Sequence, residues 1–248
     1  MKQIFLCLLA ASLTLSLAAC GGSGAASESE TASTVTSASA ESAPLSGGWQ
    51  LNEDRTATVL PEQVQKAFDK ATEQLEGNEL VPVAYLESQV VAGTNYAILC
   101  RSTPVTEKPV TGYQMVILYQ DLKENAKITK ITDFDLADYV DTQKDQLPEE
   151  NLSGGWTVAK DRSGVPLPKD AQKAFDKAMG QIAGSDLDPL YCLGSQVVAG
   201  TNSAILCAAT PETQTEPNAI QVVTIYQDLD GKVEFKNFHT LDMSDYNQ

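Results

Sequence analysis

The chain has 248 residues, 42% of them hydrophobic, and a formal net charge of −16 at pH 7. The hydrophobic content is enough for a folded core, whereas so acidic a surface repels phosphate backbones and anionic lipid, which argues against nucleic-acid binding and electrostatic membrane docking. With one histidine and five cysteines, and no CxxC or HExxH spacing, the sequence predicts no metal site and no cofactor.

The first 45 residues have the pattern of an export signal followed by a tether. Residues 4–17 are apolar but too short for a comfortable membrane span. They end in Leu17-Ala18-Ala19-Cys20, which resembles the lipobox of bacterial lipoproteins. We predict a signal peptide at 1–19, lipidation of Cys20 and a tether at 20–45 that holds the chain on the extracellular face of the cell membrane. The alternative is an ordinary signal peptide with a chance cysteine.

The rest of the chain is a tandem duplication of one sequence unit. The segments SGGW at 46–49, QKAFDKA at 65–71 and QVVAGTN at 89–95 all return 107 positions later, and 44 of the 94 positions from 46 to 139 are identical to their partners. A unit of this length can hold its own core. We therefore predict domain 1 at 46–139, a linker at 140–152 and domain 2 at 153–248.

Each unit is expected to contain one helix and several strands. Val64, Ala67, Phe68 and Ala71 have the spacing of one helix face after Pro61. Four strand-like runs follow, at about 80–91, 94–103, 112–122 and 126–136. The predicted fold class is α+β, with two tandem domains that each pack one helix on an antiparallel meander sheet.

The first hairpin of each unit carries a recognisable motif. Gln89-Val90-Val91-Ala92-Gly93, followed by Thr-Asn-Tyr, resembles the Gln-x-Val-x-Gly hairpin of the cystatin superfamily, and of stefins most closely. The second copy has Gln196-Val197-Val198-Ala199-Gly200. Gly47-Gly48 and Gly154-Gly155 stand ahead of the helices, where that family has an N-terminal glycine. On this resemblance the chain is read as tandem cystatin-like domains in a bacterial-type lipoprotein.

The resemblance implies an inhibitor of papain-type cysteine proteases rather than an enzyme. In that family the N-terminal glycine segment and the hairpin loops form a wedge that blocks the active-site cleft without a covalent bond. The implied protease-binding residues are the two glycine pairs and the two QVVAG segments. The expected partners are a papain-like protease and, through Cys20, the membrane, and the chain is expected to be a monomer.

The second hairpin loop departs from the family pattern. Many cystatins have Pro-Trp there, whereas residues 122–126 are Leu-Lys-Glu-Asn-Ala and the second copy also lacks an aromatic residue. The alternative function is a non-inhibitory surface module of the same fold that binds a peptide, a polymer or an envelope partner.

The remaining thiols give a separate hypothesis. Cys192 and Cys207 lie seven and eight positions from the centre of the second QVVAG turn, so they are predicted to face each other, either as a disulfide or as free thiols. Cys100, expected opposite Tyr85, should be a buried free thiol. No Ser/His/Asp grouping is repeated, so no catalytic residues are predicted.

Overall fold

A computed structural model describes residues 47–52, 60–139, 155–159, 167–215 and 217–246. These residues belong to one compact unit, Ala43–Gln248. The predicted signal peptide, Cys20, the tether and the linker lie outside the described residues. The lipid anchor and the domain boundaries therefore stay predictions.

The first repeat forms a five-stranded antiparallel sheet with the strand order β1-β2-β3-β4-β5. Four of these strands correspond to the four predicted runs, and the short first strand was not predicted. The elements are β1 (Trp49–Leu51), α1 (Glu62–Thr72), β2 (Asn78–Val91), β3 (Gly93–Pro104), β4 (Gly112–Gln120), β5 (Ala126–Phe134) and α2 (Leu136–Tyr139).

The second repeat forms another such sheet, with the order β10-β9-β8-β7-β6. Its elements are β6 (Thr157–Val158), α3 (Lys169–Met179), β7 (Ser185–Val198), β8 (Gly200–Pro211), β9 (Ala219–Gln227), β10 (Val233–Thr240) and a 3-10 helix (Met243–Tyr246).

The two longer helices form where the apolar spacing predicts them. Helix α1 starts after Pro61, whose fixed φ and missing N–H suit a helix start, and it buries Val64, Ala67 and Phe68. These side chains pack with apolar residues of β3 and β4 in one cluster. Helix α3 packs on the second sheet in the same way.

The predicted α+β class is wrong, because the chain is mostly β and its domains are not simply one helix on one sheet. The described residues contain ten strands in two antiparallel sheets, against α-helices of 11, 4 and 11 residues. Their largest hydrophobic cluster combines residues of both sheets. The physical reason lies in uninterrupted apolar runs such as Met115–Leu118 and Ala204–Cys207, which bury both faces of a strand. A helix covers one face, and the other sheet covers the second.

Tyrosine contacts join the two repeats. Tyr139 and its equivalent Tyr246 place their hydroxyl oxygens 3.0 Å apart. Tyr113 of β4 packs edge-on against Tyr191 of β7, with ring centroids 6.5 Å apart, and its hydroxyl donates to the Leu193 carbonyl oxygen at 2.6 Å. The two repeats therefore share a core.

The predicted juxtaposition of Cys192 and Cys207 across the hairpin is also wrong. Cys192 stands opposite Ile205, and Cys207 stands opposite Pro189. Two bulges in β7 shift the register, because each bulge sets two residues of one strand against one of its partner. Both thiols are free and buried.

The same kind of shift occurs in the first repeat. Cys100 stands opposite Pro82 rather than Tyr85, since β2 also has two register irregularities. Its thiol is buried and free, as predicted.

Candidate functional site

Those expected protease-contact residues that the structure describes meet at one end of each sheet. In the first sheet, Thr94 at the start of β3 pairs with Gln120 at the end of β4, so the β2–β3 and β4–β5 turns share one end. Strand β1 begins there too, because Trp49 pairs with Gln89. We call this end the first tip edge: Gly47–Gly48, Val90–Gly93 and the loop Asp121–Asn125.

The QVVAG turn is locked by its own sheet. Gly93 has φ +136°, and a Cβ there would collide with the Gln120 carbonyl oxygen and lie 2.9 Å from Cε2 of Tyr119. The Tyr119 hydroxyl also donates to the Ala92 carbonyl oxygen at 2.6 Å. Glycine is therefore required by packing within the sheet, and not only by the approach to a partner for which the sequence motif was read.

The glycine-led segment is held against the hairpin. The amide of Gln89 donates to the Gly47 carbonyl oxygen at 3.0 Å and accepts from Asn95 at 2.7 Å. The Gly47 N–H donates to the Val90 carbonyl oxygen at 3.1 Å. The structure thus brings together two of the predicted contact elements.

Three apolar side chains at this edge are exposed to solvent. Val90 is 36% exposed and Val91 is 41% exposed. Leu122, in the second loop, is 85% exposed. The sequence reading missed Leu122 because it looked for an aromatic residue there. The available signal was the leucine at the equivalent position of the second copy, Leu229.

The second loop has a defined conformation. The Asp121 carboxylate accepts the N–H groups of Lys123 and Asn125 at 2.8 and 2.9 Å and the Asn125 side-chain amide at 2.9 Å. These hydrogen bonds, chiefly those of Asn125, lower the pKa of Asp121. From helix α1, Lys70 Nζ donates to the Glu124 carbonyl oxygen at 2.9 Å.

The second sheet repeats this arrangement in a second tip edge, which comprises Gly155, Val197–Gly200 and Asp228–Lys232. Gly200 has φ +138°, and a Cβ there would collide with the next strand as at Gly93. The shared hydrogen bonds run from Tyr226 Oη to the Ala199 carbonyl oxygen (2.5 Å), from Asn202 Nδ2 to Gln196 Oε1 (2.8 Å) and from Lys177 Nζ to the Gly231 carbonyl oxygen (3.0 Å). Gly154 lies outside the described residues.

The two edges differ in how much of the valine pair is exposed. Val197 is 82% exposed, against 36% for Val90, while Val198 and Val91 are 46% and 41% exposed. Leu229 is 86% exposed, which matches Leu122. The apolar groups are therefore available at both edges, and more so at the second.

The three thiols of the described residues are buried. Burial raises the pKa of Cys192 to about 11, and it also raises the pKa values of Cys100 and Cys207. A buried thiol that keeps its proton is a poor nucleophile. These cysteines serve as core residues of the helix-side clusters.

Comparison with known proteins gives no match, either to a family model or to a curated protein. Within the described ranges, no helix has the length and apolar character needed to cross a membrane.

Proposed function

We propose that the chain inhibits papain-type cysteine proteases by placing a tip edge in the active-site cleft without reacting with it. The observation that carries the proposal is the grouping, at one end of each sheet, of an exposed Val-Val turn and a loop with an exposed leucine. In the first edge, a glycine-led segment is bonded beside them. The resemblance of the QVVAG hairpin to that of stefins supports the same function.

The apolar tips suit a cleft that can exclude water. Complete burial of a valine or leucine side chain contributes about 1.5–3 kcal/mol. Val90 and Val91 are already partly buried in the free protein, whereas Leu122 is largely exposed. Each side chain therefore contributes binding free energy only for the surface that it still exposes. The rest of a standard interface, about 800 Å² on each partner, would come from the surrounding backbone and the protease walls.

The internal hydrogen bonds of each edge favour tight binding. Tyr119, Gln89 and Asp121 each fix a different backbone segment before a partner arrives. A surface that is already ordered loses little conformational entropy on docking. The non-covalent mode follows from the resemblance to the cystatin superfamily, and the three described cysteines are buried.

The predicted lipid anchor would display the inhibitor outside the cell. Its basis is the Leu-Ala-Ala-Cys run that ends at Cys20. In a host that processes lipoproteins, the wild-type protein should be acylated and partition into detergent, and Cys20→Ala should prevent acylation and either release the protein or leave it unprocessed. A wild-type protein that stays wholly in the aqueous phase would refute the anchor.

Inhibition of papain by residues 43–248, the compact unit, tests the proposal. The wild type should inhibit, and the double variant Val91→Asp/Val198→Asp should lose at least about tenfold in affinity, since 1.4 kcal/mol corresponds to a factor of ten. Val110→Asp is the matched control, because Val110 is 44% exposed and lies in the connection at the opposite end of the sheet. Thermal melts establish that all three proteins are folded.

A second candidate function is a non-inhibitory surface module that binds a peptide, a polymer or an envelope partner. The observation that favours it is that Tyr119 and Gln120 already explain Gly93 by internal packing, so the motif is of use to the fold itself. A folded wild type that inhibits no papain-type protease, or a double variant that inhibits as well as the wild type, would favour this candidate.

A further inference from the structure

The two tip edges do not lie side by side. If they did, residues near the tip of one sheet would lie close to residues near the tip of the other. Instead, Glu87, five residues before the Ala92 turn, interacts with Asp242, which follows the far end of β10. Likewise, a Cβ on Gly194 would lie 3.2 Å from Leu136, which follows the far end of β5.

A cleft between the sheets shows the same offset. It has a volume of about 460 Å³ and is lined by Arg101, Thr103 and Thr111 from the far end of the first sheet and by residues 157–159 of the second. Thr157 pairs with Ser195, close to the second hairpin tip. The far end of the first sheet therefore lies beside the part of the second sheet that is near its tip. The two tips consequently lie at opposite ends of the pair of sheets.

The shared core leaves both tips uncovered. The valines and leucines of the tips are all at least about one third exposed, at 36% for Val90 and up to 86% for Leu229. None of them belongs to the cluster that joins the sheets. The packing that unites the repeats thus uses surfaces other than the two tip edges.

We infer that one chain binds two papain-type proteases at once, one at each tip edge. This inference rests on the proposed function and adds to it the stoichiometry and the independence of the two edges. The two edges are fixed in one body by Tyr113, Tyr191 and the rest of the shared core, so the chain presents them at a constant separation. Binding at one edge leaves the other available, because neither edge contributes to the inter-sheet contact.

Titration of papain with residues 43–248, together with the mass of the complex by light scattering, tests the inference. The wild type should bind two papain molecules. Val91→Asp should leave only the second edge, and Val198→Asp only the first, so each single variant should bind one. Val110→Asp should still bind two.

The outcomes separate the inference from the proposed function. If the wild type inhibits papain but saturates at one molecule per chain, the two-site inference is wrong and the inhibitory function stands. If the single variants still bind two molecules, the sites lie elsewhere and the assignment to the tip edges is wrong. If no papain binds to folded protein, the proposed function itself is refuted.

Discussion

The tip edges of the two repeats are almost the same, whereas the surfaces through which the repeats pack on each other have diverged. Gln89, Asn95 and Tyr119 have identical counterparts 107 positions later, and they make the same hydrogen bonds. In contrast, Tyr113 corresponds to Ile220, and Tyr191 corresponds to Ala84.

Geometry explains part of that difference. The contacts of the described tip residues given above are made within each tip's own repeat, so the same residues serve in both copies. Away from Tyr139 and Tyr246, the contact between the copies sets unlike positions against each other, such as Tyr113 against Tyr191. The two members of such a pair need complementary shapes rather than identical ones, which frees them to differ. Leu122 and Leu229 are exposed and have no such packing need. Under the proposed function, contact with a protease would explain why both copies have leucine there.

Loss of Tyr191 should show the largest effect and break the shared core. Its side chain is 1% exposed, and removal of a buried aromatic ring costs about 3–5 kcal/mol. We expect Tyr191→Ala to lower the free energy of unfolding by that amount, with one transition for the whole unit in urea. Phe238→Ala, at a residue that is 56% exposed, is the control and should have a much smaller effect. Two separate transitions in the wild type would show that the repeats fold independently.

A methyl group at the hairpin glycine should have the next largest effect. Gly93→Ala forces a side chain into the Gln120 backbone at φ +136°, which should lower the free energy of unfolding by about 2 kcal/mol or more. Gly48→Ala is the control, since a Cβ there would have no neighbour within 4 Å. Equal stability of the two variants by chemical denaturation would contradict the internal role assigned to Gly93.

The charge at Glu87, where the second copy has Gly194, should make stability depend on pH. Burial, and then the nearby Asp242, raise the pKa of Glu87 to about 7. The folded chain holds this proton more tightly than the unfolded chain does. The contribution of this proton to the free energy of unfolding is therefore complete below the ordinary pKa of 4.5 and is lost as the pH rises through 7.

Glu87→Gln should reduce that loss of stability. Solvent screening of the partly exposed side chain limits the difference at pH 8 to on the order of 1 kcal/mol. Unfolding free energies at pH 5 and pH 8 measure it. The same pH dependence in both proteins would show that Glu87 is not responsible for it.

Lys70 should have the smallest effect on stability but a visible one on inhibition. From the last turn of α1, its ammonium group donates a hydrogen bond to the Glu124 carbonyl oxygen. Lys177 donates to the Gly231 carbonyl oxygen in the same way. In a Lys70→Met/Val198→Asp protein, only the first edge is left to report, and we expect about threefold weaker papain inhibition than with Val198→Asp alone. Lys66→Met on the same background is the control, since Lys66 pairs with Glu62 within the helix at 2.6 Å. Equal inhibition by the two lysine variants would show that the loop needs no support from the helix.

Several features could be predicted because they depend on local pattern. The 107-residue repeat predicted that the two copies form the same elements in the same order. The buried face of helix α1 followed from the spacing of Val64, Ala67 and Phe68. The QVVAG turn was recognisable because a hairpin needs a residue that adopts positive φ. The meeting of Gly47 with this hairpin followed only from the family resemblance.

The contact between the sheets was missed although a signal was present. Met115–Leu118 is apolar at every position, which is typical of a strand that is covered on both sides. One helix cannot supply both covers, so a second layer was required. The bulges of β7 had no comparable signal, because they depend on the packing of neighbouring strands, and they displaced Cys192 and Cys207 from the predicted register.

Amide hydrogen exchange of residues 43–248 with and without papain tests the central claim most directly, because it locates the contact instead of inferring it from variants. The account predicts slower exchange in the complex at residues 90–94 and 121–125 and at the equivalent positions 197–201 and 228–232. The connection at 105–111 should exchange as it does in the free protein. Protection in that connection or over the helices, with unchanged exchange at both tips, would contradict the account.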